Sequence, residues 1–427
     1  MSLHRGLKRR HMTMIGLGGV ISAGLFVSSV KVIADTGPAA LVAYVLGGVI
    51  VVLVMRMLGE MAAARPSSGS FADYARLALG ERAGFVTGWM YWLFAVVVVA
   101  FEAVAGAQLL QSLVPALPVL PVAVTLVVAI TAANLVSVRL FGETEFWLAT
   151  VKVVVIVAFI AGGLAFVLFS DPGLSTMADF APKGWGAVGA ALVTVLFSYF
   201  GAEIVTIAAA ESEEPAKEVA RATVRVVWRV LIFYVGSVFV IVAILPWDRV
   251  PAGSPFAAAL DRIGVPGAPT LMTVVILVAV LSVMNAAMYG ASRILTAMAG
   301  RSDAPGRLAA VNARGVPSGA VLTGSALGLV LMLVAFAGDA FTLLINVAGL
   351  LVLVLYIVVA LSQLRLRKLA TEPLPLRMWG HPWLTWLVIV LLVLAFVAVA
   401  ASPGTLPVVA GVALVLGGLV IAHLAKS

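Results

Sequence analysis

Twelve apolar stretches, most of them close to the length of a bilayer crossing, follow one another along the chain with only short polar segments between them. They run over about 12–34, 38–63, 84–112, 117–138, 146–169, 187–210, 223–245, 270–299, 318–336, 340–362, 383–400 and 406–424. A spanning helix needs about 20 mostly apolar residues. Hydrocarbon offers no partner for backbone N–H and C=O groups, so only helices and closed barrels cross it. Continuous apolar runs of this length are helical, so the chain is predicted to be an all-α integral membrane protein with twelve transmembrane helices. Of its 427 residues, 63% are apolar and 11% charged. A soluble protein has about 45–50% and about 25%. That excludes an ordinary soluble enzyme, a disordered chain and, with no cysteine, a disulfide scaffold.

The net charge of +8 does not point to nucleic acid, because the basic residues form short clusters between apolar runs. With the N-terminus placed in the cytoplasm, inner segments carry Arg5, Lys8, Arg9, Arg10, Arg65, Arg76, Arg82, Arg139, Lys217, Arg221, Arg225, Arg229, Arg301, Arg307, Arg314, Arg365, Arg367, Lys368, Arg377 and Lys426. Outer segments carry only Lys31, Lys183, Arg249 and Arg262. The positive-inside bias predicts both termini in the cytoplasm and a multi-pass protein of the plasma (inner) membrane. A cleaved signal peptide is not expected. The first run continues through Ala34 with no convincing cleavage site, and a second span follows Gly37-Pro38. No connecting loop is long enough to fold alone, so one transmembrane domain is expected, without an obligate protein partner.

Two spans carry break signals. The first holds Gly16, Gly18, Gly19, Ser22 and Gly24 within nine residues, and each glycine costs a helix about 1 kcal/mol. The sixth, five spans later, holds Phe197-Ser198-Tyr199-Phe200-Gly201-Ala202-Glu203. Interrupted segments at matching places in two halves mark a transporter binding site. Unwound backbone survives at membrane depth only beside a polar cavity. The amides at Ser22, Ala23 and Gly24 would suit a carboxylate, and carbonyls near Ile21, Ser198 and Phe200 would suit an ammonium. An amino acid carries both groups. The rival reading is that the glycines only let helices pack closely.

Enzyme signatures are absent: there is no Gly-x-Ser-x-Gly, no His-Glu-x-x-His and no phosphate-binding P-loop. No enzyme activity, metal or cofactor is expected, and ATP is not the expected energy source.

At this point a resemblance is plain in Gly18–Phe26 (GGVISAGLF), Met55–Met61 (MRMLGEM), Gly88–Trp92 (GWMYW), Glu145–Lys152 (EFWLATVK), Phe197–Pro215 (FSYFGAEIVTIAAAESEEP), Trp228–Trp247, Asn285–Pro305, Ser362–Lys368 (SQLRLRK) and Arg377–Ile389. The chain resembles the bacterial amino acid transporter branch of the amino acid–polyamine–organocation superfamily, its 4-aminobutyrate (GABA) permeases above all. The resemblance implies two inverted five-helix repeats, about 12–169 and 187–362, followed by two extra helices at about 383–424. It also implies proton-coupled import of a small zwitterionic amino acid. Proline, asparagine, aromatic or basic amino acids remain alternative substrates, and a channel or exchanger an alternative mode. Ser22 stands where the family usually has Gly.

Ionisable groups inside a membrane are expensive and read as functional by default. Glu102 in the third span is expected to carry protons or meet the substrate ammonium, unless it makes a packing hydrogen bond. By resemblance, Lys152 occupies the place of a sodium ion in related carriers and couples transport to protons; the rival is a fixed charge tying the first and eighth helices to the fifth. Glu203 is expected to line the cavity, as a further candidate for proton coupling, or to cap freed amides of the sixth span. Tyr199 and Phe200 are candidates for an aromatic gate. Asn285, Tyr289 and Ser292 share one face of the eighth span. Trp89, Tyr91 and Trp92 read as an interfacial belt. Arg56 and Glu60 read as an i,i+4 pair. Glu211, Glu213 and Glu214 are expected to pair with Arg221 and Arg225.

Overall fold

Helix is the only extended regular structure among the described residues, as the unbroken apolar runs require. The computed structural model describes residues 9–21, 23–26, 28–170, 179–199, 201, 203–209, 215–249, 254–338, 341–401 and 404–426. The helices are α1 (Arg9–Val20), α2 (Ala23–Phe26), α3 (Ser28–Thr36), α4 (Ala40–Ala64), α5 (Ser70–Leu79), α6 (Glu81–Leu113), α7 (Val119–Val136), α8 (Val138–Ser170), α9 (Gly184–Ser198), α10 (Ile204–Ala209), α11 (Pro215–Ile244), α12 (Pro255–Ile263), α13 (Ala268–Gly300), α14 (Ser318–Gly338), α15 (Phe341–Lys368), α16 (Trp383–Ala400) and α17 (Leu406–Lys426). Nine helical stretches among the described residues are long and apolar enough to cross a membrane. The protein is a multi-pass helical membrane protein.

Breaks fall where the sequence carries its glycines. In the first apolar stretch the chain leaves the helix at Ile21, after α1, and in the sixth a break separates α9 from α10. Two segments expected as plain loops instead contain short helices. Ser254 accepts the Ala257 amide and starts α12, and Gly264 ends it in the left-handed conformation. Helix α5 fills the turn between α4 and α6, and Tyr74 on it donates to the Arg65 carbonyl at 2.9 Å. Ion pairs Arg301–Asp73 and Arg76–Asp303 tie α5 to the end of α13. Both helices are too short for a hydropathy window to register.

Helix α6 packs along α13, α4 along α11, and α1 against α8 and α10. Of these, α1, α4, α6, α10 and α13 form the interior. Helices α8, α14, α16 and α17 turn Trp147, Leu168, Phe169, Leu333, Trp383, Leu406 and Leu414 outward, an apolar exterior suited to lipid. Because α6 is central, Tyr91 and Trp92 are buried rather than part of an interfacial belt.

Candidate functional site

The two breaks touch each other. Gly201 has a φ of +115°, which a side chain rarely adopts, and a Cβ there would lie 2.1 Å from the Gly19 carbonyl oxygen. A Cβ on Gly19 would in turn lie 2.8 Å from the Gly201 carbonyl oxygen. Backbone therefore crosses backbone at a distance only glycine permits. Beside this crossing is a cavity of about 30 Å³, lined by Gly19, Gly201, Glu102, Tyr91, Phe94, Phe197 and neighbouring apolar residues.

Every backbone group freed in a membrane interior must find a partner, and two side chains meet that demand. Lys152 Nζ on α8 donates to the Gly18 carbonyl at 2.5 Å, to the Ile21 carbonyl at 2.9 Å and to Ser282 Oγ on α13 at 2.8 Å. The Tyr234 hydroxyl on α11 reaches the Val20 carbonyl at 2.9 Å and the Ser198 carbonyl at 2.6 Å. Lys152 thus joins the first, fifth and eighth apolar stretches, and Tyr234 joins the two breaks. The Ile21 and Ser198 carbonyls, which the sequence offers to a substrate ammonium, already accept one bond each; a carbonyl oxygen has a second lone pair.

The Lys152 cluster continues to Glu145, two turns earlier on α8. Ser282 Oγ donates to Glu145 Oε1, Asn285 Nδ2 donates to Glu145 Oε2 at 3.4 Å, and Asn134 Nδ2 donates to Asn285 Oδ1 at 2.9 Å. Glu145 and Lys152 are both fully buried. Asn285 therefore faces α7 and α8, while α13 presents Val283 and Ala287 to the cavity. Tyr289 stacks on Phe141 with ring centres 4.0 Å apart, on the same side as Asn285.

Among the other expected residues, Glu203 is fully buried and its Oε2 accepts the Gly201 amide at 2.8 Å. It caps the second break, and the Tyr91 hydroxyl lies 3.5 Å from its other oxygen. Glu102, 2% exposed, lines the cavity. Ser198 Oγ donates to the Val195 carbonyl at 2.8 Å. Tyr199 points away from the cavity: its hydroxyl donates to the Tyr44 carbonyl at 3.1 Å, and its ring stacks on Tyr234 at 4.3 Å. Ala23 and Gly24 belong to the short helix α2. Ser22 and Phe200 lie outside the described residues, as do Glu211, Glu213 and Glu214.

Sequence reasoning passed over Glu145, Ser282, Asn134 and Tyr234. The spacing of Glu145 and Lys152, seven residues on one helix face, was the available signal.

Residues 11–422 match the amino acid permease family. The chain belongs to that family. It is 43% identical over 413 residues to the gamma-aminobutyric acid permease of Escherichia coli (strain K12), covering 93% of this chain and 89% of the relative. It is 40% identical over 437 residues to the aromatic amino acid transport protein AroP of Corynebacterium glutamicum, covering 98% and 94%. The fold is similar to that of a manganese transporter from Eremococcus coleocola solved with an aromatic bis-isothiourea substituted compound. That likeness has a TM-score of 0.60 at 13% identity and covers 98% of this chain and 92% of that one.

Arg56 and Glu60 do not form the expected pair. Arg56 Nε donates to the Arg377 carbonyl at 2.8 Å and its guanidinium lies 4.5 Å from the Trp379 ring centre. Glu60 is taken by Arg367 at 2.6 Å, Gln363 Nε2 at 2.8 Å and the Met378 amide at 2.5 Å. Helix α15 and the segment before α16 outcompete a neighbour one turn away. A cavity of about 410 Å³ opens beside this cluster.

Proposed function

We propose that this permease is a proton-coupled secondary active importer of a small zwitterionic amino acid, GABA first. The observation that carries the reading is Lys152, seated on the carbonyls of the first break beside a cavity that both breaks and Glu102 line. An ammonium there holds unwound backbone in one arrangement; its loss of a proton releases that hold. Coupling follows if the carbonyl-bound and released arrangements open to opposite sides of the membrane. Substrate identity is supported by the relatives named for gamma-aminobutyric acid.

The substrate carboxylate takes the backbone at Ser22, Ala23 and Gly24. The ammonium faces Glu102 and the carbonyls along the break. A cavity of about 30 Å³ has room for a water molecule or two and not for an amino acid, so the breaks separate when substrate binds. The architecture is twelve spans, with two inverted five-span repeats and two extra helices. Packing of α6 on α13, α4 on α11 and α1 on α10 supports it, because each pair joins apolar stretches five apart in order. Both termini lie in the cytoplasm and the membrane is the inner one. No cofactor and no protein partner enter this reading.

The second reading is transport of an aromatic amino acid, favoured by the relative named AroP. Purified protein in liposomes separates the two readings. Labelled GABA uptake driven by an inward proton gradient, with unlabelled GABA the strongest competitor, supports the first. Stronger competition by phenylalanine or tryptophan moves the substrate to the second. GABA uptake indifferent to the proton gradient removes the coupling.

A further inference from the structure

The hydrogen bonds around Lys152 have a direction, and that direction ends on Glu145. An ammonium has three N–H donors, and Lys152 directs them at the Gly18 carbonyl, the Ile21 carbonyl and Ser282 Oγ. With its oxygen accepting from Lys152, Ser282 donates its own proton to Glu145 Oε1. Asn134 directs one amide N–H at the Ile130 carbonyl and another at Asn285 Oδ1, which leaves Asn285 Nδ2 to donate to Glu145 Oε2. Donors from α13 thus converge on both oxygens of Glu145. Helix α1 closes the remaining side: a Cβ on Gly18 would lie 2.2 Å from Glu145 Oε1.

We propose that Glu145 is the proton acceptor for Lys152, reached through the Ser282 hydroxyl. The proposal rests on the coupling role given to Lys152 above and adds the residue that takes its proton. In the transfer, one N–H bond of Lys152 breaks and an O–H bond forms on Ser282. The original Ser282 O–H bond breaks and an O–H bond forms on Glu145 Oε1. No electron moves between residues and the pair stays neutral overall: ammonium and carboxylate become amine and carboxylic acid. Neutrality matters because Lys152 and Glu145 are both fully buried. Sending the proton to water would leave an unpaired carboxylate in the membrane interior, which is expensive. Passing it seven residues along the same helix leaves no net charge behind.

The consequence reaches the break. As an ammonium, Lys152 makes charge-assisted bonds to the Gly18 and Ile21 carbonyls, and these are about twice as strong as neutral ones. As an amine it has two N–H groups and holds them weakly. The state of Glu145 is therefore felt by the segment of α1 that must move. Other titratable groups around the pair are few. From α6, Glu102 lines the cavity beside the first break. From α11, the Tyr234 hydroxyl engages the Val20 and Ser198 carbonyls. On α1, Arg10 and His11 engage Glu143. From α13 and α7 the facing groups are Ser282, Asn285 and Asn134, none of them charged.

The test uses the full chain in proteoliposomes and follows labelled GABA uptake against external pH at a fixed proton gradient. Glu145→Gln is expected to lower gradient-driven uptake by about tenfold or more and to flatten the pH profile of what remains. Ser282→Ala, which removes the bridging hydroxyl, is expected to flatten the profile likewise, and Glu145→Asp to restore part of it. A structural role alone would lower uptake without changing the shape of the profile. A wild-type profile in either Glu145→Gln or Ser282→Ala, with the variant folded by its melting transition, overturns the proposal. If Glu145→Gln does not fold, Ser282→Ala decides alone. Lys152→Gln separates the two levels. If wild type and Lys152→Gln share one pH profile, the coupling reading falls and the relay with it. If they differ while Glu145→Gln matches wild type, the relay alone falls.

Discussion

Glu145 and Glu60 are both buried carboxylates drawn into a cation-bearing cluster, yet the two clusters are built for different ends. Glu60 meets its cation directly: Arg367 donates to it at 2.6 Å, and Gln363 and the Met378 amide complete its shell. Glu145 is one hydroxyl removed from its cation, with Ser282 between it and Lys152. A guanidinium never gives up its proton in a protein, whereas an ammonium does so readily when buried. The Glu60 cluster is therefore a fixed clamp. It fastens α4 to α15 and to the segment leading into α16, and Thr385 in the first turn of α16 donates to Gln363 at 3.1 Å. The Glu145 cluster is exchangeable, and what it holds is unwound backbone. The choice between lysine and arginine, and one intervening oxygen, separates a lock from a switch.

Breaking the switch without touching the lock gives the largest expected effect. Gly18→Ala drives a methyl group onto Glu145 Oε1. Overpacking of that kind costs about 3 kcal/mol, and uptake and melting temperature should both fall sharply. Converting the switch into a lock comes next. Lys152→Arg keeps the charge and removes the exchangeable proton, so gradient-driven uptake should drop by about a hundredfold, equal to about 2.7 kcal/mol. The protein should remain extractable and monodisperse. Breaking the lock should leave the switch alone. Glu60→Ala removes charged hydrogen bonds worth about 2 kcal/mol; the melting temperature should fall while the pH profile of uptake keeps its wild-type shape.

The smallest effect concerns His381, in the segment the lock holds. Its Nδ1 lies 3.3 Å from Gln363 Nε2. Partial burial, and then the nearby Arg367 charge, hold the imidazole below the ordinary histidine value. The unfolded chain, with its ordinary value of about 6.5, therefore takes up the proton first as pH falls. Stability is present above that pH and is lost as pH drops toward the depressed folded value. Melting temperature measured from pH 7.5 down to 5.5 should decline, and His381→Gln should decline less steeply.

How much of this was legible in the sequence differs between the two regions as well. The breaks near Ile21 and Gly201 announce themselves, because weak helix signals recur at matching places in two apolar runs five spans apart. Lys152 announces itself by charge. Glu145 does not stand out on periodicity alone, since only its spacing from Lys152 marks a shared face. Ser282 and Tyr234 are hidden more deeply. A single hydroxyl in an apolar helix gains meaning from which helix it faces, and local pattern does not say which helices meet. The same blindness produced the Arg56–Glu60 pair: neighbours one turn apart on α4 are visible, whereas Arg367 lies 307 residues away in sequence. Tyr199 shows the same limit. It adjoins the break, yet the helix turns its ring toward Tyr44 and Tyr234 and not into the cavity.

The most direct test of the account follows protons and substrate together. Proteoliposomes loaded with a pH-sensitive dye and holding wild-type protein should acidify inside when GABA is added outside, in step with uptake of the label. Lys152→Gln vesicles should show no GABA-dependent acidification. GABA uptake by wild type without acidification, or the same acidification from both proteins, would contradict the claim that Lys152 couples proton movement to transport.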